Sequence, residues 1–195
     1  MRLCFASNNA HKLDEIRPLL PPHVTLLSLA DIGCQEELPE TQDTLEGNAR
    51  QKADYVREHY GVACFADDTG LEVKALNGEP GVYSARYAGP QRRAEDNVAK
   101  LLRELQPAAD RSAQFRTVVA LALPDGTTPT FAGAVAGHII AAPQGSGGFG
   151  YDPVFVPAEG DGRTFAEMSG AEKNQISHRA RAVAGLVAYL NEAQL

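Results

Sequence analysis

A short apolar run, Val62-Ala63-Cys64-Phe65-Ala66, ends in two adjacent carboxylates, Asp67 and Asp68, and neither Lys nor Arg stands among the four residues on either side of the pair. Apolar runs of this length bounded by turn formers read as strands. Neighbouring carboxylates repel, and burying them is costly unless positive charge is brought to them by the fold or by a ligand. Any fold this chain adopts must therefore supply a cation from a distant part of the sequence or from solution. Successive strand side chains point to opposite faces, so Asp67 and Asp68 cannot serve one ligand as equals. One is expected to face a ligand, and the other to take backbone or helix-terminus hydrogen bonds.

Around that run the chain alternates strand-like and helix-like segments. Arg2 to Ala6 reads as a strand, and Ser7-Asn8-Asn9 can cap a helix carrying Leu13, Ile16 and Leu20 that stops at Pro21-Pro22. Val24 to Leu29 is a second strand candidate, and an acidic connection from Gln35 to Asp43 leads to a long helix over Thr44–Tyr60. Its apolar stripe is Leu45, Ala49, Ala53, Val56 and Tyr60. Gly70 to Val73 reads as another short strand, Leu76 to Pro90 as loop, and about Arg93 to Leu105 as helix. Phe115 to Leu123 and Thr130 to Ile140 flank Pro124-Asp125-Gly126 as an antiparallel hairpin. Pro153 to Pro157 is a short strand, and an amphipathic helix closes the chain from Ser177. The expectation is an α/β fold with a mixed sheet and a second, β-rich lobe.

Composition narrows the classes. A chain of 195 residues with 44% hydrophobic and 22% charged residues has the balance of a soluble globular domain. No apolar run approaches the ~20 residues that span a bilayer, and the apolar opening is too short for a signal peptide. Cys4, Cys34 and Cys64 form no Cys-x-x-Cys pair, which suits buried thiols in a reducing cytoplasm. A net charge of −7 argues against a non-specific nucleic-acid binder.

Several constellations carry chemistry. Ser7-Asn8-Asn9-Ala10-His11-Lys12 places a polar turn and a lysine at a helix N-terminus, where unpaired N–H groups favour an anion. An ordinary cap with a solvated lysine is the plainer alternative, and no P-loop pattern is present. Gly145-Ser146-Gly147-Gly148-Phe149-Gly150 spells the Gly-x-Gly-x-x-Gly pattern but runs into Tyr151-Asp152-Pro153 and a β-run. A dinucleotide fingerprint must open a helix, so a loop passing close to a ligand, with Phe149 and Tyr151 available to stack, fits better. Ser169-x-x-Glu172 is a capping-box pattern, and His178-Arg179 puts positive charge at a helix start, against the dipole. With Glu40 as a second oxygen ligand, whichever of Asp67 and Asp68 faces the ligand suits Mg²⁺ held together with substrate phosphates. The residues alone point to a Mg-dependent enzyme acting on phosphate esters.

The order of these pieces resembles the inosine triphosphate pyrophosphatase family, also called dITP/XTP pyrophosphatases. Ser7-x-Asn9-x-x-Lys12-x-x-Glu15, Glu40-Thr41 and Asn48-Ala49 to Lys52-Ala53 are similar to its opening motifs. Ala66-Asp67-Asp68-Thr69-Gly70-Leu71, Gly81 to Tyr87, Gly147 to Pro153 and Glu172-Lys173-x-x-x-Ser177-His178-Arg179 complete the set. The match is in order over nearly the whole chain. Asn8 and His11 stand where glycine is frequent, Thr69 where serine is common, and Pro39 where relatives are acidic.

The resemblance implies one catalytic domain over 1–195, with an elongated mixed sheet flanked by helices, two lobes and a central cleft, usually as a homodimer. It implies cytoplasmic hydrolysis of inosine, deoxyinosine and xanthosine triphosphates to monophosphate and pyrophosphate. By position, Ser7, Asn8, Asn9, Ala10, His11 and Lys12 would hold phosphates, helped by Lys52. Asp68 would be metal ligand and general base, with Glu40 beside it on Mg²⁺, and Thr69 would sit against the substrate. Phe149, Gly150, Tyr151 and Asp152 would line the nucleoside, and Lys173, His178 and Arg179 would contact the base. The positive partner of the carboxylates is then expected to be Mg²⁺ arriving with the triphosphate. A pyrophosphatase of the Maf-like group and a non-catalytic nucleotide sensor are the rival functions.

Overall fold

The computed structural model describes residues 1–192. Among them six strands form one sheet: β1 (Arg2–Phe5), β2 (Thr25–Leu27), β3 (Cys64–Val73), β4 (Ser112–Ala122), β5 (Thr130–Ile139) and β6 (Phe155–Pro157). Their order is β2-β1-β3-β4-β5-β6. β1 pairs in parallel with both β2 and β3, Cys4 lying opposite Leu27 on one side and Cys64 on the other, whereas β6 is antiparallel to β5. The sheet is therefore mixed. The helices are α1 (Ala10–Ile16), α2 (Leu45–Tyr60), α3 (Ala94–Glu104), α4 (Gly170–Ile176) and α5 (His178–Glu192).

The chain divides into two compact units. The first holds Met1–Asp68, Thr117–Gly133 and the last helix from Arg179 onward. Its core gathers Leu3, Phe5 and Phe65 from β1 and β3, Val119 and Leu121 from β4, and Val183, Leu186 and Leu190 from α5. The second holds Thr69–Arg116 and Ala134–His178. Leu71, Leu101, Phe115, Ile139, Phe155 and Phe165 lie in its core, with Phe115 edge-on to Phe155 at 4.7 Å between ring centroids.

Local chemistry explains the elements, including those that differ from expectation. Thr44 caps α2 by accepting the Gly47 N–H, and left-handed Gly61 ends it. Both reciprocal bonds of the Ser169/Glu172 capping box at α4 are made. α1 is shorter than its apolar spacing predicts, giving way at Arg17 to a 3-10 turn that contains Pro18. The strand predicted to break before Gly70 instead runs unbroken through Val73. Gly70 marks a close approach: a Cβ there would lie 2.6 Å from the Gly81 carbonyl oxygen. The region expected as plain loop carries a 3-10 turn, Gly81–Arg86, and another, Lys74–Leu76, leads into it. It is tied to β3 where the Leu71 N–H donates to Ser84 Oγ at 2.9 Å. The hairpin of β4 and β5 is closed by Leu121 N–H to Pro129 O and Leu123 N–H to Thr127 O. The three cysteines are buried free thiols, as expected. No helix among the described residues is long and apolar enough to cross a membrane.

Candidate functional site

The residues singled out from sequence fall into two sets, one in each unit. In the first unit, β1 runs into Ser7-Asn8-Asn9 and α1. Asn9 caps the helix by accepting the Lys12 N–H, and Ser7 Oγ accepts the Asn9 N–H. Asn8, Ala10 and His11 are exposed, while Ser7, Asn9 and Lys12 are half-buried. The Lys12 ammonium reaches back to β3, donating to Asp67 Oδ1 at 2.8 Å.

Asp67 is fully buried, and its other oxygen accepts from Arg179 Nε at 3.2 Å. Arg179 opens the part of α5 that belongs to this unit and also binds Glu15 of α1 through its Nη1. Burial by itself would raise the Asp67 carboxyl, but the Lys12, Arg179 and Lys52 charges outweigh it and hold the group well below the usual carboxylate range. Burial pulls the Lys12 ammonium down even with Asp67 beside it, while Asp67 and Glu15 keep the buried Arg179 above its ordinary value. The cations expected from solution for this carboxylate are the protein's own. Side-chain charges from two helices reach Asp67, Lys12 standing in the first turn of α1 and Arg179 in the first turn of α5.

Asp68 points the other way and is 9% exposed, against 0% for Asp67. Asn48 Nδ2 donates to its Oδ2 at 3.1 Å, and Lys52 Nζ lies 3.7 Å from its Oδ1. Lys52 itself donates to Glu40 Oε1 at 2.6 Å and to the Asp67 carbonyl at 2.8 Å. Burial is the main force on Asp68 and lifts its carboxyl above the ordinary value; Lys52 and Lys12 oppose this, and Glu40 adds to it. Desolvation would lower Lys52, but the carboxylates around it prevail and raise it. The two faces of β3 thus carry carboxylates of opposite character: one locked and strongly acidic, the other partly open and less acidic than usual.

The same face could hold a divalent cation. Asp68 and Glu40 converge on one ammonium from two directions, and their side chains keep 12% and 25% exposure. This oxygen-only pair suits Mg²⁺, which takes one or two carboxylates and completes its shell with water and phosphate oxygens. Among the described residues no group of three or more His, Cys, Asp or Glu is placed to hold a metal ion.

In the second unit, the glycine-rich stretch remains a loop and leads into a 3-10 turn, Asp152–Val154, before β6. The Phe149 N–H and Lys173 Nζ both donate to Asp152 Oδ2, at 2.9 and 2.6 Å. Lys173 lies 5.1 Å from the Phe149 ring centroid and 5.3 Å from that of Phe165. Gly148 has φ +66°, and a Cβ on it would fall 2.2 Å from Asp152 Oδ2, so only glycine lets the loop close over that carboxylate. Phe149 and Gly150 are half-buried, whereas Tyr151 is buried with its hydroxyl donating to the Ser84 carbonyl. His178 is buried and stacked on Phe115 at 4.6 Å. Thr69 is half-buried, one residue beyond Asp68.

Arg179 is the residue whose place departs most from expectation. A base-reading arginine needs donors turned toward the ligand. Arg179 is 1% exposed, and its Nε and Nη1 are engaged by Asp67 and Glu15. Its anionic partners are internal, which also accounts for positive charge at a helix start. Glu15 and Asn48 are the members of the cluster that sequence left without a role. Glu15, three residues after Lys12 on one helix face, was the available signal.

The Ham1 family model matches residues 3–189. A dITP/XTP pyrophosphatase of Flavobacterium johnsoniae is 56% identical over 187 residues, covering 96% of each chain. Its counterpart in Porphyromonas gingivalis is 55% identical over 190 residues, covering 97% of each. The solved structure of the Staphylococcus aureus Ham1 protein superposes with a TM-score of 0.90 at 39% identity, over 99% of this chain and all of that one. With sequence and fold both matched from end to end, the chain belongs to the Ham1 family.

Proposed function

We propose that this protein is a nucleoside triphosphate pyrophosphatase that hydrolyses inosine, deoxyinosine and xanthosine triphosphates to the monophosphate and pyrophosphate with Mg²⁺. The observation that carries the reading is Asp68, a partly open carboxylate with raised basicity, held by Asn48 and set beside Lys52 and Glu40. The names of the F. johnsoniae and P. gingivalis relatives support the substrate class. The family match over nearly the whole length supports treating 1–195 as one catalytic domain. A cytoplasmic location and a homodimer belong to the same proposal.

In this reading Asp68 accepts the proton of a water whose oxygen attacks the α-phosphorus, and the bond from that phosphorus to the bridging oxygen breaks to release pyrophosphate. Lys12 and Lys52 face the phosphates, and Ser7 to His11 offer N–H and side-chain donors to their oxygens. Lys52 is well suited because Glu40 and the Asp67 carbonyl fix its ammonium before substrate arrives. Bound on Asp68 and Glu40, Mg²⁺ would neutralise charge developing on the phosphate oxygens. Phe149 offers a stacking face to the purine, and Asp152 and Lys173 hold that face in place. Thr69, Gly150, Tyr151 and His178 complete the proposed substrate set. Arg179 is assigned to holding Asp67 and Glu15.

Pyrophosphate release measured over inosine, deoxyinosine, xanthosine, adenosine, guanosine and pyrimidine triphosphates tests the reading. A kcat/KM for the first three at least tenfold above the rest supports it. Preference for pyrimidine or modified nucleotides favours the Maf-like alternative, and binding without turnover favours a sensor.

A further inference from the structure

One inward face of α2 holds three consecutive residues of the acidic connection. Lys52 takes Glu40. Gln51 takes Thr41 twice, its Oε1 accepting the Thr41 N–H at 2.9 Å and its Nε2 donating to Thr41 Oγ1 at 2.8 Å. Asn48 takes Gln42, its Oδ1 accepting the backbone N–H at 2.9 Å. Of the three, Asn48 alone also donates a hydrogen bond to Asp68, and it is 1% exposed. An amide oxygen accepts and cannot donate, so the Gln42 N–H dictates which end of Asn48 faces Asp68: it must be the NH₂. The loop that carries Glu40 thus sets the orientation of the group that holds the Asp68 carboxylate.

We propose that Asn48 is a positioning residue for the hydrolytic step, registering the Asp68 carboxylate and the Glu40 loop against each other. The inference rests on Asp68 being the general base. Rotation of a carboxylate about χ2 is soft and roughly two-fold. Lys52, 3.7 Å from Oδ1, is too distant for a directional hydrogen bond. The bond from Asn48 to Oδ2 therefore sets the plane of the carboxylate and with it the direction in which Oδ1 meets an attacking water. Losing that bond leaves phosphate binding by Lys12 and Lys52 in place and degrades the chemical step.

A double-mutant cycle tests this, with kcat and KM for inosine triphosphate in wild type, Asn48→Leu, Asp68→Asn and the double variant. Leu keeps the branch at Cγ and much of the volume, and Asn48→Ala run in parallel guards against a folding failure specific to Leu; thermal melts establish that each variant is folded. The expected result is a kcat loss of about 10- to 100-fold for Asn48→Leu, with KM within about threefold, as misplacement of a reacting group predicts. In the Asp68→Asn background the same change should cost less than about twofold, because the base that the bond orients is gone even though an amide oxygen can still accept it. An equal loss in both backgrounds, or a loss confined to KM, overturns the positioning role. An Asp68→Asn enzyme with wild-type kcat instead overturns the assignment of the base on which the proposal depends.

Discussion

Substituting Asp67 and Asp68 separately should split stability from catalysis. Asp67→Asn removes the charge that Lys12 and Arg179 share inside the first unit. Lys12 is left half-buried without its carboxylate, and Arg179 keeps Glu15. Breaking a buried ion pair from one side costs about 3–5 kcal/mol. In a chain of this size, where 1 kcal/mol shifts Tm by about 2–4 °C, that is a fall of roughly 6–20 °C. The deficit should depend on pH. The folded-state carboxyl sits below its unfolded value of about 3.9, so its stabilisation is present above that pH and is lost as pH falls toward the folded pKa. The gap between wild type and Asp67→Asn should therefore be full at pH 7 and shrink steadily below about pH 4. Asp68→Asn should behave oppositely. Burial already disfavours that charge, the Asn oxygen can still accept from Asn48, and Lys52 keeps Glu40 and the Asp67 carbonyl. Its stability should change by less than about 1.5 kcal/mol, the scale of one hydrogen bond, while kcat falls by roughly 10² or more. Urea unfolding followed by circular dichroism, with pyrophosphate release on the same preparations, reads both quantities. A deficit for Asp67→Asn below about 1 kcal/mol, or one that is flat in acid, would refute the locked network. If Asp67→Asn were the more damaging to kcat at equal folding, the two faces of β3 would be assigned the wrong way round.

Excess EDTA should remove nearly all pyrophosphate release and added Mg²⁺ should restore it; full turnover in chelator would contradict the proposed role of Asp68 and Glu40. Gly148→Ala forces a Cβ against Asp152 Oδ2 at a positive φ, so KM for inosine triphosphate should rise about tenfold or more with kcat less affected, as expected when binding geometry is displaced. An unchanged KM would mean that the Asp152-held loop does not touch the substrate. Arg179→Lys should lower Tm but leave the ratio of kcat/KM for inosine over adenosine triphosphate within about twofold, as for a residue outside the base site. A collapsed ratio in a folded variant would return Arg179 to base recognition.

Legibility followed the range of the interactions. The strand carrying Asp67 and Asp68, the Thr44-capped helix and the Ser169/Glu172 capping box were visible because each rests on near neighbours in sequence. The unbroken course of β3 past Gly70 was not, because the reason for a glycine inside the strand, the close Gly81 carbonyl, lies eleven residues away. The same holds for the partner of Asp67. Sequence shows that a cation is needed but not that Lys12, 55 residues earlier, and Arg179, 112 residues later, supply it. His178-Arg179 was read as an invitation to an outside anion because Glu15 and Asp67 come to it only through the packing of α1 and α5. The motifs shared with the family were legible as a set without saying which members face a ligand and which hold one another.

The uninterrupted pleat of β3 also governs how such a gene can drift. Deleting or inserting one codon between Cys64 and Asp67 would turn every later side chain of the strand to the opposite face. After an insertion Asp67 would face Asn48 and Lys52 and Ala66 would face Lys12 and Arg179; after a deletion Asp68 would face Lys12 and Arg179 and Thr69 would face Asn48 and Lys52, so either change leaves one site without its carboxylate. Leu71 and Val73, buried in the core of the second unit, would be turned outward by the same step, so a substitution at the carboxylates alone does not repair the strand. Length variation should therefore be absent from this strand in a library screened for function and tolerated at the turn between β4 and β5, where Pro124 to Thr128 join a hairpin. Scanning the gene with single-codon deletions would map that contrast directly, with the strand as a ruler that admits no change of scale.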